Sequence, residues 1–156
     1  MISKIDRIYM SEALKEAGKA ASADDVPVGA VIVHKGRIIA RAHNQIKLLK
    51  DPTAHAEMIA ITQAAAYLEN ERLPEATLYV TIEPCMMCAG ALILARMKRV
   101  CFGAADPKTG ALGSVFDVNS KKLNHKITIT KGVMEDECAF LMKEFFKKKR
   151  AKGEVA

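Results

Sequence analysis

Two short motifs, about thirty residues apart, constrain this chain more than any other feature of its sequence. The first is His-Ala-Glu at 55–57, and the second is Pro-Cys-Met-Met-Cys at 84–88. One imidazole and two thiolates can fill three positions of a tetrahedral zinc site, which leaves the fourth position open to water. A fold that accommodates both motifs must therefore bring them to one ion, with the glutamate beside it as a proton carrier.

The first motif stands at a predicted helix start. An apolar segment follows Asp-Pro-Thr at 51–53 and predicts a helix from about Ala54, which places His55 and Glu57 in its first turn. Both side chains can then face a second element at the end of the helix. The sequence therefore predicts Glu57 as the catalytic residue.

The second helix is predicted to begin at Pro84, because proline is favoured at the first helical position. Cys85 and Cys88 then share one face of one turn, so both sulfurs can reach one ion. The positive end of the helix dipole favours the thiolate form that a metal needs. We therefore predict one zinc ion per chain, with His55, Cys85 and Cys88 as its ligands.

Each motif also has an ordinary interpretation. A histidine near a helix start can be a capping or surface residue, and an isolated Cys-x-x-Cys also occurs in redox motifs and structural zinc sites. A structural zinc site needs a fourth ligand, and a thioredoxin-like site leaves His55 and Glu57 without a role. Cys101 and Cys138 lack a paired ligand in the sequence, so we predict that both are buried small apolar residues.

Composition favours a soluble enzyme. With 156 residues, half of them apolar, the chain is expected to form a single domain. No apolar run is long enough to span a bilayer, and the first residues lack the apolar segment of a signal peptide, so no membrane partner is expected. Four cysteines, two of them assigned to metal, favour a reducing compartment and hence the cytoplasm. A net charge of +6 suggests a polyanionic partner.

The periodicity of apolar residues predicts alternating helices and strands, with a hairpin turn at Lys35-Gly36. Strands separated by helices imply parallel neighbours after this hairpin, and hence a mixed sheet with helices on both faces. The predicted helices cover about 5–18, 54–68, 84–96 and 135–150, and the predicted strands cover 28–33, 37–42, 77–82, 99–104 and 126–130.

Several segments together resemble one family, the bacterial tRNA-specific adenosine deaminases of the cytidine deaminase-like superfamily. The resemblance covers nearly the whole chain and implies a three-layer α/β fold around a five-stranded mixed sheet. It also implies one zinc-dependent deaminase domain over 1–156, frayed from about residue 151, and a homodimer. The segments that carry the resemblance lie at 26–31, 42–44, 51–57, 76–91, 102–111 and 124–125.

The resemblance implies an enzyme, a zinc-dependent hydrolase that converts adenosine to inosine at the wobble position of tRNA. The anticodon arm of tRNA would be its partner, and Glu57 would move protons between water, the ring N1 and the departing amino group. The target base would have to leave its stack to enter the site. The family places backbone contacts to the base and the oxyanion beside the ligands, here at Ala54 and Cys85.

The same resemblance assigns substrate contacts to four polar residues. Asn44 would hydrogen-bond the base or its ribose, Asp106 and Lys108 would contact ribose and phosphates, and Asn124 would hold a flanking nucleotide. Residue types of this kind also form turns, so turn formation is the competing interpretation for Asn44 and for Asp106 to Gly110. Pro107 departs from many relatives, which leaves the contact of this loop with the ribose open.

Lysines 147–149 belong to an aromatic and basic run at 145–150, and we expect them to neutralise phosphates along the anticodon stem. The alternative is an amphipathic helix with a core face and a solvated face. Two other functions also remain open. A deaminase of a free base or nucleoside, of guanine or cytosine type, would use the same zinc chemistry, whereas a non-catalytic zinc-stabilised RNA-binding protein would give Glu57 no role.

Overall fold

The computed structural model describes residues 1–154 and contains five helices and five strands. A single 3-10 turn at Val118–Ser120 lies between the last two strands. In chain order the elements are α1 (Lys4–Ser22), β1 (Gly29–His34), β2 (Arg37–His43), α2 (Ile46–Leu49), α3 (Ala56–Leu68), β3 (Ala76–Ile82), α4 (Met86–Leu94), β4 (Arg99–Ala104), β5 (Thr128–Lys131) and α5 (Glu135–Ala151).

The five strands form one mixed sheet in the order β2-β1-β3-β4-β5. Strand β1 is antiparallel to both β2 and β3, whereas β3, β4 and β5 run parallel. The predicted hairpin is confirmed, and Lys35 and Gly36 both have positive φ angles of 51° and 73°, as a tight two-residue turn requires. The expectation that all neighbours after the hairpin are parallel was wrong for β3. The connection through α3 carries the chain past β1, so β3 pairs with β1 and not with β2.

Helices cover both faces of the sheet. Helices α1 and α5 pack on one face, around a buried cluster that includes Met10, Val31 and Cys101. Helices α3 and α4 contribute alanines and leucines to the larger cluster on the other face. Cys101 and Cys138 are 0% and 1% exposed, which confirms the prediction that both thiols are buried. The resulting three-layer arrangement confirms the predicted fold class.

The structure shifts several element boundaries. Helix α1 continues past Gly18 to Ser22, and α2 and the 3-10 turn were not predicted. Helix α5 ends at Ala151, and Lys149 forms an ion pair with Glu154, whereas fraying of the tail from about residue 151 stays a prediction. Residues 155–156 of that tail lie outside the described residues. None of the helices within residues 1–154 is both long and apolar enough to cross a membrane.

Candidate metal centre

The two motifs meet at the starts of two helices. His55 is the N-cap of α3 and Cys85 is the N-cap of α4, and neither side chain caps its own helix. Both predicted helix starts were therefore two residues too early, and Pro84 precedes α4 instead of opening it. The extended backbone at both caps turns these side chains away from their helix axes. The imidazole and the thiol can thus face each other across the gap between the helices.

The three predicted ligands lie close together. The Nδ1 atom of His55 is 3.7 Å from the Cys85 sulfur and 3.5 Å from the Cys88 sulfur. All three potential ligand atoms lie within 4.8 Å of one another, and Cys88 is fully buried. Such a cluster of one imidazole and two thiols is a candidate site for a transition metal ion.

The electrostatics of the cluster favour one thiolate, at Cys85, whereas the hydrogen bond with Cys85 raises the pKa of both Cys88 and His55. Hydrogen bonds with Cys88 and with His55 lower the pKa of Cys85 far below that of a free thiol, although burial opposes this. A thiolate at Cys85 is the form that binds a metal.

Glu57 lies in the first turn of α3 beside the cluster. Burial raises the pKa of its carboxyl group, which is 3% exposed. Among the residues that the structure describes, its Oε1 atom has no hydrogen-bond partner. A buried carboxyl oxygen without a partner is costly, so this one is available to a group that enters the site.

A cavity of about 190 Å³ opens over the cluster. Asn44 follows β2 and is 5% exposed; its Oδ1 accepts a hydrogen bond from the N–H of Ala56 at 2.8 Å. This hydrogen bond joins the end of β2 to the start of α3, so Asn44 is not a local turn residue as the competing interpretation proposed. The residues lining the cavity are Val26, Val28, Asn44, Ile46, His55, Glu57, Ile82, Glu83, Cys85, Asp106, Thr109 and Met142.

Only some of the other residues predicted to contact the substrate lie at the cavity. Ala54 is buried beside the first ligand, and its carbonyl accepts a hydrogen bond from Gln45 at 3.0 Å. Lys108 is exposed at the outer rim, in a groove that continues from the cavity. Asn124 is exposed and does not line either space.

The side chain of Asp106 binds within its own loop. It accepts from the N–H groups of Lys108 and Thr109 at 2.9 and 3.2 Å, and from the Thr109 hydroxyl at 2.8 Å. The loop is therefore a turn that the Asp106 side chain stabilises, as the turn interpretation of its sequence predicted. Asp106 nevertheless lines the cavity, so the turn and a substrate contact are compatible.

Sequence reasoning missed Glu83, which is 2% exposed and lies two residues before Cys85. Its carboxyl group accepts hydrogen bonds from the backbone N–H groups of Asp106, Leu112 and Ser114 at 2.9–3.1 Å, and from the Ser114 hydroxyl. The only signal in the sequence was a charged residue directly after the apolar strand β3, where burial would require several partners.

The cavity continues into a groove of about 670 Å³ between the loop at 105–109 and helix α5. Lys143, Phe146 and Arg150 line it from the helix, one turn apart. Lys149 points elsewhere: its ammonium group lies 2.7 Å from Asp24 and 2.6 Å from Glu154. Lys147 and Lys148 do not line this groove, and Lys149 is already paired, so the expectation that lysines 147–149 act together on phosphates does not hold for this groove.

Comparisons with known proteins place this chain among the deaminases. A family model described as MafB19-like deaminase matches residues 5–150. The chain is 47% identical over 152 residues to the tRNA-specific adenosine deaminase of Bacillus subtilis, covering 97% of this chain and 94% of that protein. It is 45% identical over 155 residues to the enzyme of the same name from Haemophilus influenzae, covering 98% and 90%.

A solved structure agrees with these relatives. It comes from a study of A-to-I editing by tRNA:A34 deaminases at the wobble position, and it matches with a TM-score of 0.84 and 46% identity. The match covers 86% of this chain and 98% of that chain.

Proposed function

This chain belongs to the MafB19-like deaminases and to the tRNA-specific adenosine deaminase family, and on that premise we propose that it hydrolyses adenosine to inosine at the wobble position of a tRNA anticodon. The observation that carries the proposal is the buried carboxyl group of Glu57 beside a three-ligand cluster. The cavity over this cluster opens into a groove with cationic residues. A proton-transfer group, a metal site and a path for a polyanion therefore adjoin one another.

We propose zinc as the metal, with one ion per chain. Zinc bonds of about 2.3 Å to sulfur and about 2.05 Å to nitrogen, at a tetrahedral angle, separate the two ligand atoms by about 3.6 Å. The observed separations from His55 Nδ1 are 3.7 and 3.5 Å, so the donor set and its spacing fit this ion. Zinc, when bound, supplies the Lewis acid that makes water nucleophilic near neutral pH.

Glu57 is the residue that we assign to proton transfer. Its buried carboxylate would accept a proton from the attacking water and deliver one to the ring N1 of adenine. It would then accept the second proton of that water, from the hydroxyl group added at C6, and pass it to the amino group that leaves as ammonia. The raised pKa of Glu57 suits this exchange, because a group that takes up and gives back protons works best when its pKa is near the working pH.

The surrounding residues would orient the extruded base. Asn44 is fixed by its bond to Ala56, so its NH2 group would donate to the base or its ribose. Backbone groups at Ala54 and Cys85 would contact the base and the oxyanion, since Ala54 precedes the proposed ligand His55 and Cys85 is itself a proposed ligand. Asp106 would contact the ribose, and Asn124 would hold a flanking nucleotide.

The groove would receive the anticodon arm of tRNA. Lys108, Lys143 and Arg150 place positive charges along it, and Phe146 offers an aromatic surface for an unstacked base. Phosphate contacts of this kind supply affinity without choosing a sequence. We further propose that the chain acts in the cytoplasm, where tRNA is available, and that it forms the homodimer expected from the family resemblance.

A direct assay tests the proposal. The purified protein is incubated with total tRNA and, separately, with free adenosine, cytidine and guanine, and inosine and ammonia are measured. We expect inosine at the wobble position of tRNA and little ammonia from the free compounds. Rapid deamination of a free base or nucleoside with none of tRNA would favour the small-molecule deaminase. Zinc and RNA binding without any turnover would favour the non-catalytic protein.

A further inference from the structure

We infer that Glu83 is a positioning residue that holds the segment 105–114, here termed the pocket loop, against the start of α4. The inference rests on the proposed function, because the pocket loop carries Asp106 and Lys108, two of the proposed substrate contacts. Glu83 lines the cavity, but its side-chain hydrogen bonds within residues 1–154 all go to the pocket loop, and in this proposal it does not contact the substrate. Its role would be to keep one wall of the cavity in register with the metal ligands.

The hydrogen bonds of Glu83 span the whole pocket loop. Oε1 accepts from the N–H of Asp106 at 3.1 Å and from the hydroxyl of Ser114. Oε2 accepts from the N–H groups of Leu112 and Ser114 at 2.9 and 3.1 Å. One side chain thus binds donors at the beginning and at the end of the pocket loop. Hydrogen bonds of a carboxylate to backbone N–H groups are among the strong ones in proteins.

Gly110 shows that the pocket loop lies directly on this carboxyl group. A Cβ atom at Gly110 would lie 2.4 Å from the Cδ atom of Glu83 and 2.5 Å from each of its oxygens. Such contacts are far shorter than van der Waals distance, so a larger residue would have to displace either the pocket loop or the glutamate. The close approach, and not an unusual φ angle, is what requires glycine here.

Glu83 is also tied to the metal centre. It lies between the end of β3 and Pro84, and its N–H donates to Ala104 of the parallel strand β4 at 2.8 Å. The carbonyl of Pro84 accepts from Ala111 at 2.9 Å, which adds a second link between the pocket loop and the residue before Cys85. Displacement of the glutamate would therefore move the loop relative to the ligands.

Two sets of hydrogen bonds have different roles in the pocket loop. The Asp106 side chain sets the internal turn through Lys108 and Thr109. Glu83 sets where that turn lies relative to the cavity. Loss of Glu83 bonding should therefore leave the turn itself formed but misplaced, which weakens substrate binding more than the chemical step.

The test is steady-state kinetics with tRNA on the zinc-loaded protein. For Glu83→Gln, whose NH2 group would face backbone donors, we expect KM to rise about tenfold while kcat stays within about threefold of wild type. Gly110→Ala should give the same pattern, because it disturbs the same contact from the other side. The double variant should be little worse than either single variant, since both changes remove one interaction. Glu75→Gln, at an exposed glutamate paired with Lys98, is the matched control and should leave both constants unchanged.

A second readout does not depend on activity. Amide hydrogen exchange at Leu112 and Ser114 should be faster in Glu83→Gln than in wild type, with zinc content unchanged. If Glu83→Gln does not fold, Ser114→Ala removes a single donor and should raise KM about threefold. Unchanged KM and unchanged exchange in the folded variants would overturn the inference, as would a collapse of kcat alone. If wild type does not deaminate tRNA, the proposed function fails, and the exchange experiment still decides the role of Glu83.

Discussion

Two glutamates at the site, Glu57 and Glu83, are both buried but have opposite surroundings. Both oxygens of Glu83 accept hydrogen bonds from the pocket loop, whereas Oε1 of Glu57 lacks a partner within residues 1–154. A carboxyl group with four donors is a structural anchor, and one with an unpartnered oxygen can accept a hydrogen bond or a proton from a group that enters the site. The difference in partners, and not burial, is what distinguishes the proposed proton carrier Glu57 from Glu83.

Glu57→Gln should remove turnover while leaving the site intact. The amide keeps the shape of the side chain but cannot accept a proton, so we expect kcat to fall by at least about a hundredfold. Zinc content and tRNA affinity should stay close to wild type. Glu71→Gln, at an exposed glutamate after α3, serves as the control. Substantial residual turnover in Glu57→Gln would show that another group acts as the base.

The ligand assignment predicts a clear division among the four free cysteines. Cys85→Ala and Cys88→Ala should each lose most of the zinc measured by elemental analysis, because two remaining ligands bind the ion far more weakly. Cys101→Ala removes a buried thiol on the other face of the sheet and should keep one zinc per chain. Full zinc in both Cys85→Ala and Cys88→Ala would refute the assignment.

At the scale of elements, the cationic side chains of helix α5 lie on two sides of the helix, one facing the groove and the other facing Asp24. Lys143 and Arg150 line the groove together with Phe146, whereas Lys149 is 7% exposed and bonds to Asp24. The basic run predicted an RNA-facing helix end but could not show which cations are free. That depends on Asp24, which follows α1 far away in the sequence and reaches Lys149 only in the folded chain.

The groove assignment predicts a change in the salt dependence of tRNA binding. Lys143→Ala combined with Arg150→Ala should reduce the slope of log Kd against log salt by about 1.4, at about 0.7 for each phosphate contact to single-stranded RNA. Lys147→Ala combined with Lys148→Ala is the control of equal charge, since neither residue lines the groove. An equal loss of slope in both double variants would mean that only the net charge of α5 matters.

The elements themselves could be predicted because their apolar periodicity is strong, and β4 was predicted with its observed bounds. Strand pairing could not be predicted in full, because the position of β3 beside β1 depends on how α3 packs across the sheet. The candidate ligand cluster of His55, Cys85 and Cys88 could be predicted from the chemistry and spacing of these residues. The roles of Glu83 and of the Asn44 bond to Ala56 could not be predicted from the sequence. Both side chains bind backbone N–H groups that come close to them only in the folded chain.

At the scale of the whole molecule, one ionic network ties the helical layer to the sheet. Asp6 of α1 bonds to both terminal nitrogens of Arg99 at 2.9 Å and to the Tyr79 hydroxyl at 2.8 Å. Arg99 also donates to Thr130 of β5. Burial of Asp6 opposes ionisation, but Arg99, Ser3 and Tyr79 outweigh it and hold the pKa of Asp6 well below its usual value.

Asp6→Asn should lower the free energy of unfolding at pH 7 by about 2 kcal/mol or more, because it leaves Arg99 without its partner. The pKa of Asp6 is lowered in the folded protein, so its stabilisation is present above the unfolded value of about 3.9 and is lost as the pH falls further. Urea unfolding of wild type and variant should therefore differ most near neutral pH and converge in acid. A constant difference at every pH would contradict this account.

The position of β1 between β2 and β3 also has a consequence for synthesis on the ribosome. The hairpin of β1 and β2 can form once residue 43 has emerged, but the other edge of β1 must wait for β3, which ends at Ile82, about 40 residues later. At typical elongation rates this delay lasts about 2 to 8 seconds. During that time an apolar strand, Gly-Ala-Val-Ile-Val-His, offers unpaired backbone groups to other nascent chains. Chaperone protection of this protein is therefore expected to matter most while residues 44–82 are emerging from the ribosome.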